Sequence, residues 1–448
     1  PYQEDVIQAV LAGHDVLTVL PTGSGKSLCY QLPAVMSEGT AIIVSPLISL
    51  MEDQVQQLVK NGIQATYVNS SLGIREKIDI LDQLDTFKCV YVSPERLLEP
   101  DFLDRLKRIK LSFFVIDEAH CISQWGHSFR TEYRQLSSIK LTFPEQPIMA
   151  LTATATKDVQ NDIVRSLDLV NPQIIIGSFE RENLQLKVTP KQKAKEVLLD
   201  FVAQKKDRSG IIYCSTRKQV DSVYDLLHEK KYSVAKYHAG LSDYDRSQAL
   251  HQFINDDVFI MVATVAFGMG INKPDVRYVF HYNMPKTIEQ YYQEIGRAGR
   301  DGLAAECILL FSTADAVLYK RMLSDQIDDT VKLQMSRKIE QMVSYCHTAT
   351  CRVKEILAYF GEDYTKQACN QCDTCLNECD TIDGTIIAQK ILSCVFRLHQ
   401  RFGIHYVVDV LMGSKNKKVL SNRHDRLSTY GLLADYSKKQ IHAFIFSS

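Results

Sequence analysis

The chain has 448 residues, 45% of them hydrophobic and 23% charged, with a formal net charge of −1. That length is too great for one core and predicts two large domains plus something smaller, with the ordinary composition of a globular protein. No apolar run reaches the ~20 residues needed to span a bilayer, and the near-zero net charge excludes a uniformly basic surface as the signature of the molecule.

Taken in order, the chain opens at Pro1-Tyr2-Gln3 without a Met or a visible secretory leader, so the natural N-terminus is expected upstream. Residues 4–12 have helical spacing, with Val6, Ile7, Val10 and Leu11 on one face. Apolar strands are then predicted at 16–20, 41–45, 89–93, 112–117 and 148–152, separated by segments of helical period such as Glu52–Asn61 and Arg75–Leu84. Strands alternating with amphipathic helices predict a parallel sheet covered on both faces. After the polar stretch Ser178–Asn183 the alternation restarts at 184–189, 210–214, 233–237, 258–263, 277–281 and 305–311, which predicts a second α/β unit. From about residue 330 the pattern becomes helical, then Cys-rich, then basic and helical. The expected divisions are 1–180, 181–328, 329–380 and 381–448.

The first motif is Thr22-Gly23-Ser24-Gly25-Lys26-Ser27, between an apolar strand and a helix start. A Gly-rich turn aims successive backbone N–H groups at one anion, Lys26 adds a charge for the outer phosphates, and the Ser27 hydroxyl suits Mg²⁺. The usual pattern has Gly where Leu20 stands. Gln3 is placed to read adenine through its amide. Phe113-Phe114-Val115-Ile116 leads into Asp117-Glu118-Ala119-His120, which puts carboxylates at the C-terminal end of a parallel strand. Asp117 is the candidate Mg²⁺ ligand, and Glu118 the candidate base for the water that attacks the γ-phosphate. Ser45-Pro46, Ser93-Pro94-Glu95-Arg96 and Thr152-Ala153-Thr154 offer hydroxyls and an Arg at the same edge. Ser123-Gln124-Trp125-Gly126-His127-Ser128-Phe129-Arg130 contains the only Trp and suits stacking on splayed bases. In the second unit, Gly268 lies in a Gly turn after a strand, and Gly268 and Asp275 are further candidate nucleotide contacts. Arg297 and Arg300 lie three apart in Gly296-Arg297-Ala298-Gly299-Arg300. If the two units face each other, these guanidiniums enter the cleft and stabilise the transferring phosphoryl group only when it closes.

Of the twelve Cys, those at 29, 89, 121, 214, 307, 346 and 394 lie mostly among apolar residues and are expected to be reduced core thiols. Cys369, Cys372 and Cys375 have C-x₂-C-x₂-C spacing, and Cys351, Cys346 and Cys379 compete for a fourth ligand position. Four thiolates suit tetrahedral Zn²⁺ in a structural role, with an iron–sulfur cluster as the chemical rival. Residues 381–448 hold ten Lys and Arg against four Asp and Glu. Lys415, Arg423 and Arg426 are candidate phosphate contacts at helix starts.

Together these motifs resemble superfamily 2 helicases, and the Trp-bearing loop and Cys cluster resemble the RecQ family of DNA helicases over nearly the whole chain. The resemblance implies two RecA-like domains, a helical zinc-binding subdomain and a winged-helix domain whose wing hairpin would follow residue 448. It also implies ATP- and Mg²⁺-dependent 3′→5′ translocation on single-stranded DNA, unwinding of forked duplexes, and work in repair, recombination and fork maintenance. It selects Cys351, Cys369, Cys372 and Cys375 as zinc ligands and Arg300 as the arginine finger, and it makes the 123–130 loop couple DNA to hydrolysis. A single-strand-binding protein is a candidate partner, and an intracellular, cytoplasmic or nuclear location is expected. The family's adenine pocket also uses an aromatic residue and an Arg upstream of Gln3, outside this sequence. An RNA helicase and a DNA-binding scaffold with a merely structural nucleotide cleft are the rivals.

Overall fold

The computed structural model describes residues 2–69, 72–123, 130–268, 273–323, 328–376 and 383–447. Its first unit is a seven-stranded sheet of β1 (Val16–Val19), β2 (Thr40–Val44), β3 (Ala65–Val68), β4 (Cys89–Val92), β5 (Leu111–Ile116), β6 (Ile148–Thr152) and β7 (Gln173–Ile176). All pairings are parallel and the order is β3-β4-β2-β5-β6-β1-β7. β1, β2 and β4 are buried along their whole length, as expected of strands covered on both faces. The two strands absent from the predicted set, β3 and β7, are the sheet edges. β7, Gln173-Ile174-Ile175-Ile176, is short and mostly exposed, so most of its apolar residues face solvent rather than a core.

The second unit is a six-stranded parallel sheet of β8 (Leu184–Pro190), β9 (Gly210–Tyr213), β10 (Val234–Tyr237), β11 (Ile260–Ala263), β12 (Tyr278–His281) and β13 (Ala305–Phe311), in the order β10-β11-β9-β12-β13-β8. All six coincide with predicted segments. Thr216, Ser242, Thr287 and Ser312 each cap the helix that follows with a side-chain oxygen, so the local sequence sets where those helices begin.

A 19-residue helix, Asp329–His347, then leads into the helix Arg352–Tyr359 and the Cys-rich turn. The last unit packs Ile391, Cys394, Val408, Leu411, Leu433 and Ile441 into a separate core between the helices Thr385–Arg397, Ile404–Leu411 and Lys438–Ser447. The seven scattered Cys are all buried, in keeping with core thiols.

Candidate active site and metal centre

Every motif of the first unit sits at the C-terminal edge of its sheet, because each follows a parallel strand. β1 runs into Leu20, whose N–H bonds the Thr152 carbonyl of β6 at 3.1 Å. Gly23 and Gly25 then take φ of +87° and +76°, a left-handed path that turns the loop into the helix Lys26–Met36. A Cβ on Gly25 would lie 2.5 Å from the Gln3 amide nitrogen. That amide donates to the Ser24 carbonyl at 2.9 Å, so Gln3 reaches the phosphate loop. Ser24 Oγ donates to the Pro21 carbonyl at 2.7 Å, and Lys26 Nζ donates to the Leu20 and Pro21 carbonyls at 3.2 and 3.3 Å. Burial lowers the Lys26 ammonium below its ordinary value, while Glu118 and Asp117 favour its charged form.

β5 is followed at once by Asp117, whose N–H is held by the Val44 carbonyl at 2.9 Å. Burial, with Glu118 next door, raises the Asp117 carboxyl to about 7, and Lys26 works against the rise. A buried carboxylate beside another carboxylate is an electrostatic arrangement that a divalent cation would relieve. Glu118 is left-handed at φ +49°, and its carboxylate Oε2 lies 3.2 Å from His120 Nδ1. His120 Nδ1 also lies 2.9 Å from Thr152 Oγ1. Thr152 Oγ1 accepts from the Thr154 N–H at 3.2 Å, and Thr154 Oγ1 accepts from Gln293 Nε2 at 3.1 Å. A polar chain thus runs from the acidic motif of one unit to the Arg-bearing motif of the other.

That second motif begins on the helix Ile288–Ile295, started by Thr287 accepting from the Gln290 N–H at 3.1 Å, with Gln293 on the helix and Arg297 and Arg300 in the turn that follows it. Arg297 is 6% exposed, next to Gly268 and Tyr213. Arg300 lies against the phosphate loop, with its Cγ 3.2 Å from where a Gly23 Cβ would stand. Burial, with Arg297 and Arg181 close by, lowers Arg300 to about 10, which leaves it charged at neutral pH. The structure therefore gathers Gln3, Thr22–Ser27, Asp117, Glu118, Gly268, Arg297 and Arg300 along one cleft between the two sheets.

Other expected contacts are placed differently. Asp275 pairs with Lys273 at 3.1 Å, and among the described residues no hydrogen bond or ion pair joins it to the phosphate loop. Lys273 is buried and its charge is met by both Asp275 and, at 2.7 Å, Asp256. Arg96 is committed to Glu99 and, at 3.0 Å, to Asp101 rather than facing the cleft. Ser123 is fully buried, so it anchors its loop and presents nothing to a polymer. Arg130 donates to the Pro46 carbonyl at 3.1 Å and anchors the other end. Gln124, Trp125, His127 and Phe129 lie outside the described residues. Lys415, Arg423 and Arg426 lie on one short stretch of the last unit, accessible to solvent as phosphate contacts require.

The residues that sequence reasoning missed lie in the stretch between the two sheets. Arg181 donates to the Thr22 carbonyl at 2.9 Å and to the Ala298 and Gly299 carbonyls at 3.1 Å each. The polarity of Ser178–Asn183 reads as a boundary, and only an Arg in an otherwise short linker hinted at more.

The sulfurs of Cys351, Cys369, Cys372 and Cys375 all lie within 4.8 Å of one another. A tetrahedral Zn²⁺ with Zn–S of about 2.3 Å requires sulfurs about 3.8 Å apart. Cys369 and Cys375 are 3.8 Å apart, so the donor set fits a closed, structural zinc site. Cys346 is buried elsewhere in the core, and Cys379 lies outside the described residues. Around the site, Arg352 pairs with Asp373, whose other oxygen accepts from the Val188 N–H of β8 at 2.9 Å. That contact docks the thiolate cluster on the second sheet.

Four family models match in succession. They are the DEAD/DEAH box helicase (residues 1–162), the helicase conserved C-terminal domain (193–302), the RecQ zinc-binding region (313–376) and the RQC domain (378–448). ATP-dependent DNA helicase RecQ of Pasteurella multocida (strain Pm70) is 46% identical over 445 residues, covering 99% of this chain and 70% of that protein. The protein of the same name from Bacillus subtilis (strain 168) is 44% identical over 447 residues, covering 99% and 76%. Among solved structures, S. cerevisiae Dbp5 bound to RNA and ADP BeF3 shares the fold, with a TM-score of 0.57 at 18% identity over 75% of this chain and 93% of that one. Identity of this level across 99% of the chain, with all four family segments in order, makes this chain a member of the RecQ family of ATP-dependent DNA helicases.

Proposed function

We infer that the chain couples ATP hydrolysis to 3′→5′ movement along single-stranded DNA and to opening of forked duplexes. The observation that carries this reading is the cleft itself. Phosphate loop, acidic pair and two arginines come from two separate sheets, so the site is complete only at one relative position of the units. A catalytic centre that assembles on closure ties each hydrolysis to a relative movement, as a translocating enzyme requires.

In this reading the amides of residues 22–27 and Lys26 hold the phosphates, and Ser27 and Asp117 would hold Mg²⁺, which neutralises charge on the β- and γ-phosphate oxygens. Glu118 orients a water and accepts its proton as the water oxygen bonds to the γ-phosphorus and the bond to the β-phosphate oxygen breaks, giving ADP and phosphate. Arg297 and Arg300 place positive charge where it builds up on the transferring group. The Gln293–Thr154–Thr152–His120 chain supports communication between the arginine motif and Glu118. The 123–130 loop and the Lys415–Arg426 face supply base stacking and duplex phosphate contacts. Repair and recombination of DNA, with single-strand-binding protein as a partner, is the setting that suits such an activity.

The test is the ATP hydrolysis rate of this chain alone, with single-stranded DNA, and with RNA of matched length. Strong stimulation by DNA and none by RNA is expected. Stimulation by RNA would transfer the assignment to an RNA helicase, and indifference to both would leave a scaffold.

A further inference from the structure

The stretch joining the two sheets is gripped from two sides. From the zinc-binding side, Glu362 accepts from Ser178 Oγ at 2.6 Å and from the Phe179 N–H at 2.7 Å. The Phe179 ring stacks on Phe360 with centroids 4.4 Å apart and planes 6° apart. Lys366 bridges Glu180 and Glu182 at 2.8 Å each. Tyr292, on the helix that leads into the arginine motif, donates to the Phe179 carbonyl at 2.9 Å. From the other side, the Arg181 guanidinium reaches into the cleft. Its three short hydrogen bonds go to backbone carbonyls, Thr22 in the phosphate loop of the first unit and Ala298 and Gly299 in the arginine motif of the second. Among the described residues no carboxylate pairs with it. Its guanidinium also lies 3.8 Å from a Cβ built on Gly23, the site against which Arg300 packs.

We propose that Arg181 is a positioning residue for ATP turnover, tying the phosphate loop to the arginine motif, and that the zinc-binding module sets its position through Glu362 and Phe360. The proposal rests on the helicase reading above. A planar guanidinium presents its donors in a rigid fork. All three carbonyls can be reached together at one cleft width only, so the fork registers closure. Because residues 178–180 are clamped by the zinc-binding module, a shift of that module is passed along two or three residues of backbone to Arg181 and so to Thr22, Ala298 and Gly299. The Cys cluster thereby acts beyond its own fold, on the geometry of the phosphate loop.

The test uses the full chain. Arg181→Ala is expected to lower kcat for DNA-stimulated ATP hydrolysis by at least about 10-fold, with the KM for ATP within about 3-fold of the parent, because misplacing a transition-state group costs rate more than binding. Hydrogen exchange gives a second readout that needs no turnover. Glu362→Ala, and Ser178→Ala from the linker side, are expected to raise exchange at the amides of residues 22–28 by about 10-fold, with zinc content unchanged. A merely local role for Glu362 would loosen 178–180 and leave the phosphate loop as it was. Unchanged kcat in Arg181→Ala, or unchanged exchange at 22–28 in both linker variants, overturns the proposal. A parent chain whose hydrolysis ignores DNA sinks the helicase reading instead, and the exchange measurement still decides this one.

Discussion

Glu118→Gln separates chemistry from binding. The substitution keeps the size and left-handed backbone demand of a residue at φ +49°, so no new steric strain enters. The Gln amide oxygen can still accept a hydrogen bond from His120, which lies 3.2 Å from the carboxylate, so only charge assistance is removed there. That change is worth about 1 kcal/mol, or a few degrees of melting temperature at most. The proton acceptor is removed altogether. A positioned general base contributes about 10²–10⁴-fold, or roughly 3–5 kcal/mol of barrier at 1.36 kcal/mol per decade. Phosphate binding through residues 22–27 is untouched, so nucleotide affinity should stay within about 3-fold of the parent. The assay is steady-state ATP turnover at saturating single-stranded DNA, with binding of a fluorescent ATP analogue measured in parallel. A fall in kcat of less than about 10-fold, or a parallel collapse of nucleotide binding, refutes the assignment of Glu118 as base.

Cys369→Ser should lower zinc stoichiometry, measured by elemental analysis, and bring an earlier unfolding step, since three thiolates hold the metal far less well than four. Gly210→Ala should destabilise the second unit by about 1–3 kcal/mol or more in urea melts, because overpacking a core forces rings off their rotamers. Its Cβ would stand 2.1 Å from the buried Tyr278 ring on the neighbouring strand β12. Replacing Lys415, Arg423 and Arg426 together by Ala should weaken duplex binding without changing sequence preference. The slope of log K against log salt should become shallower by about one for each phosphate that is no longer neutralised, and an unchanged slope would remove these residues from the interface.

The alternation of short apolar runs with amphipathic segments carried enough information for both parallel sheets, because a strand buried on both faces must be apolar along its length. It did not single out β7, a short Gln-Ile-Ile-Ile run mostly exposed at the sheet edge, nor β3, whose Ala-Thr-Tyr-Val run is short and mixed. The phosphate loop, the acidic pair and the arginine pair were legible because their chemistry constrains residue type within a few positions. The thiolate set was legible as three ligands of a local spacing plus a choice among three more, and proximity of the four sulfurs removes Cys346 from that choice. Asp275 shows the limit of local pattern, because an acid after a Gly turn reads alike whether it faces a nucleotide or pairs with a buried Lys, as Asp275 does with Lys273 beside Asp256.

What the sequence determined by itself is therefore whatever depends on neighbours along the chain, namely strand and helix type, the phosphate-binding turn, the acidic strand end and the C-x₂-C-x₂-C turn. What only the tertiary structure decided is how groups far apart in sequence meet. Thr154 meets Gln293 across 139 positions, Arg181 meets Thr22 across 159, and Glu362 meets Ser178 across 184. Those contacts follow from the order of strands within each sheet and the docking of one unit on another. Packing sets both, and no local pattern of residues encodes them.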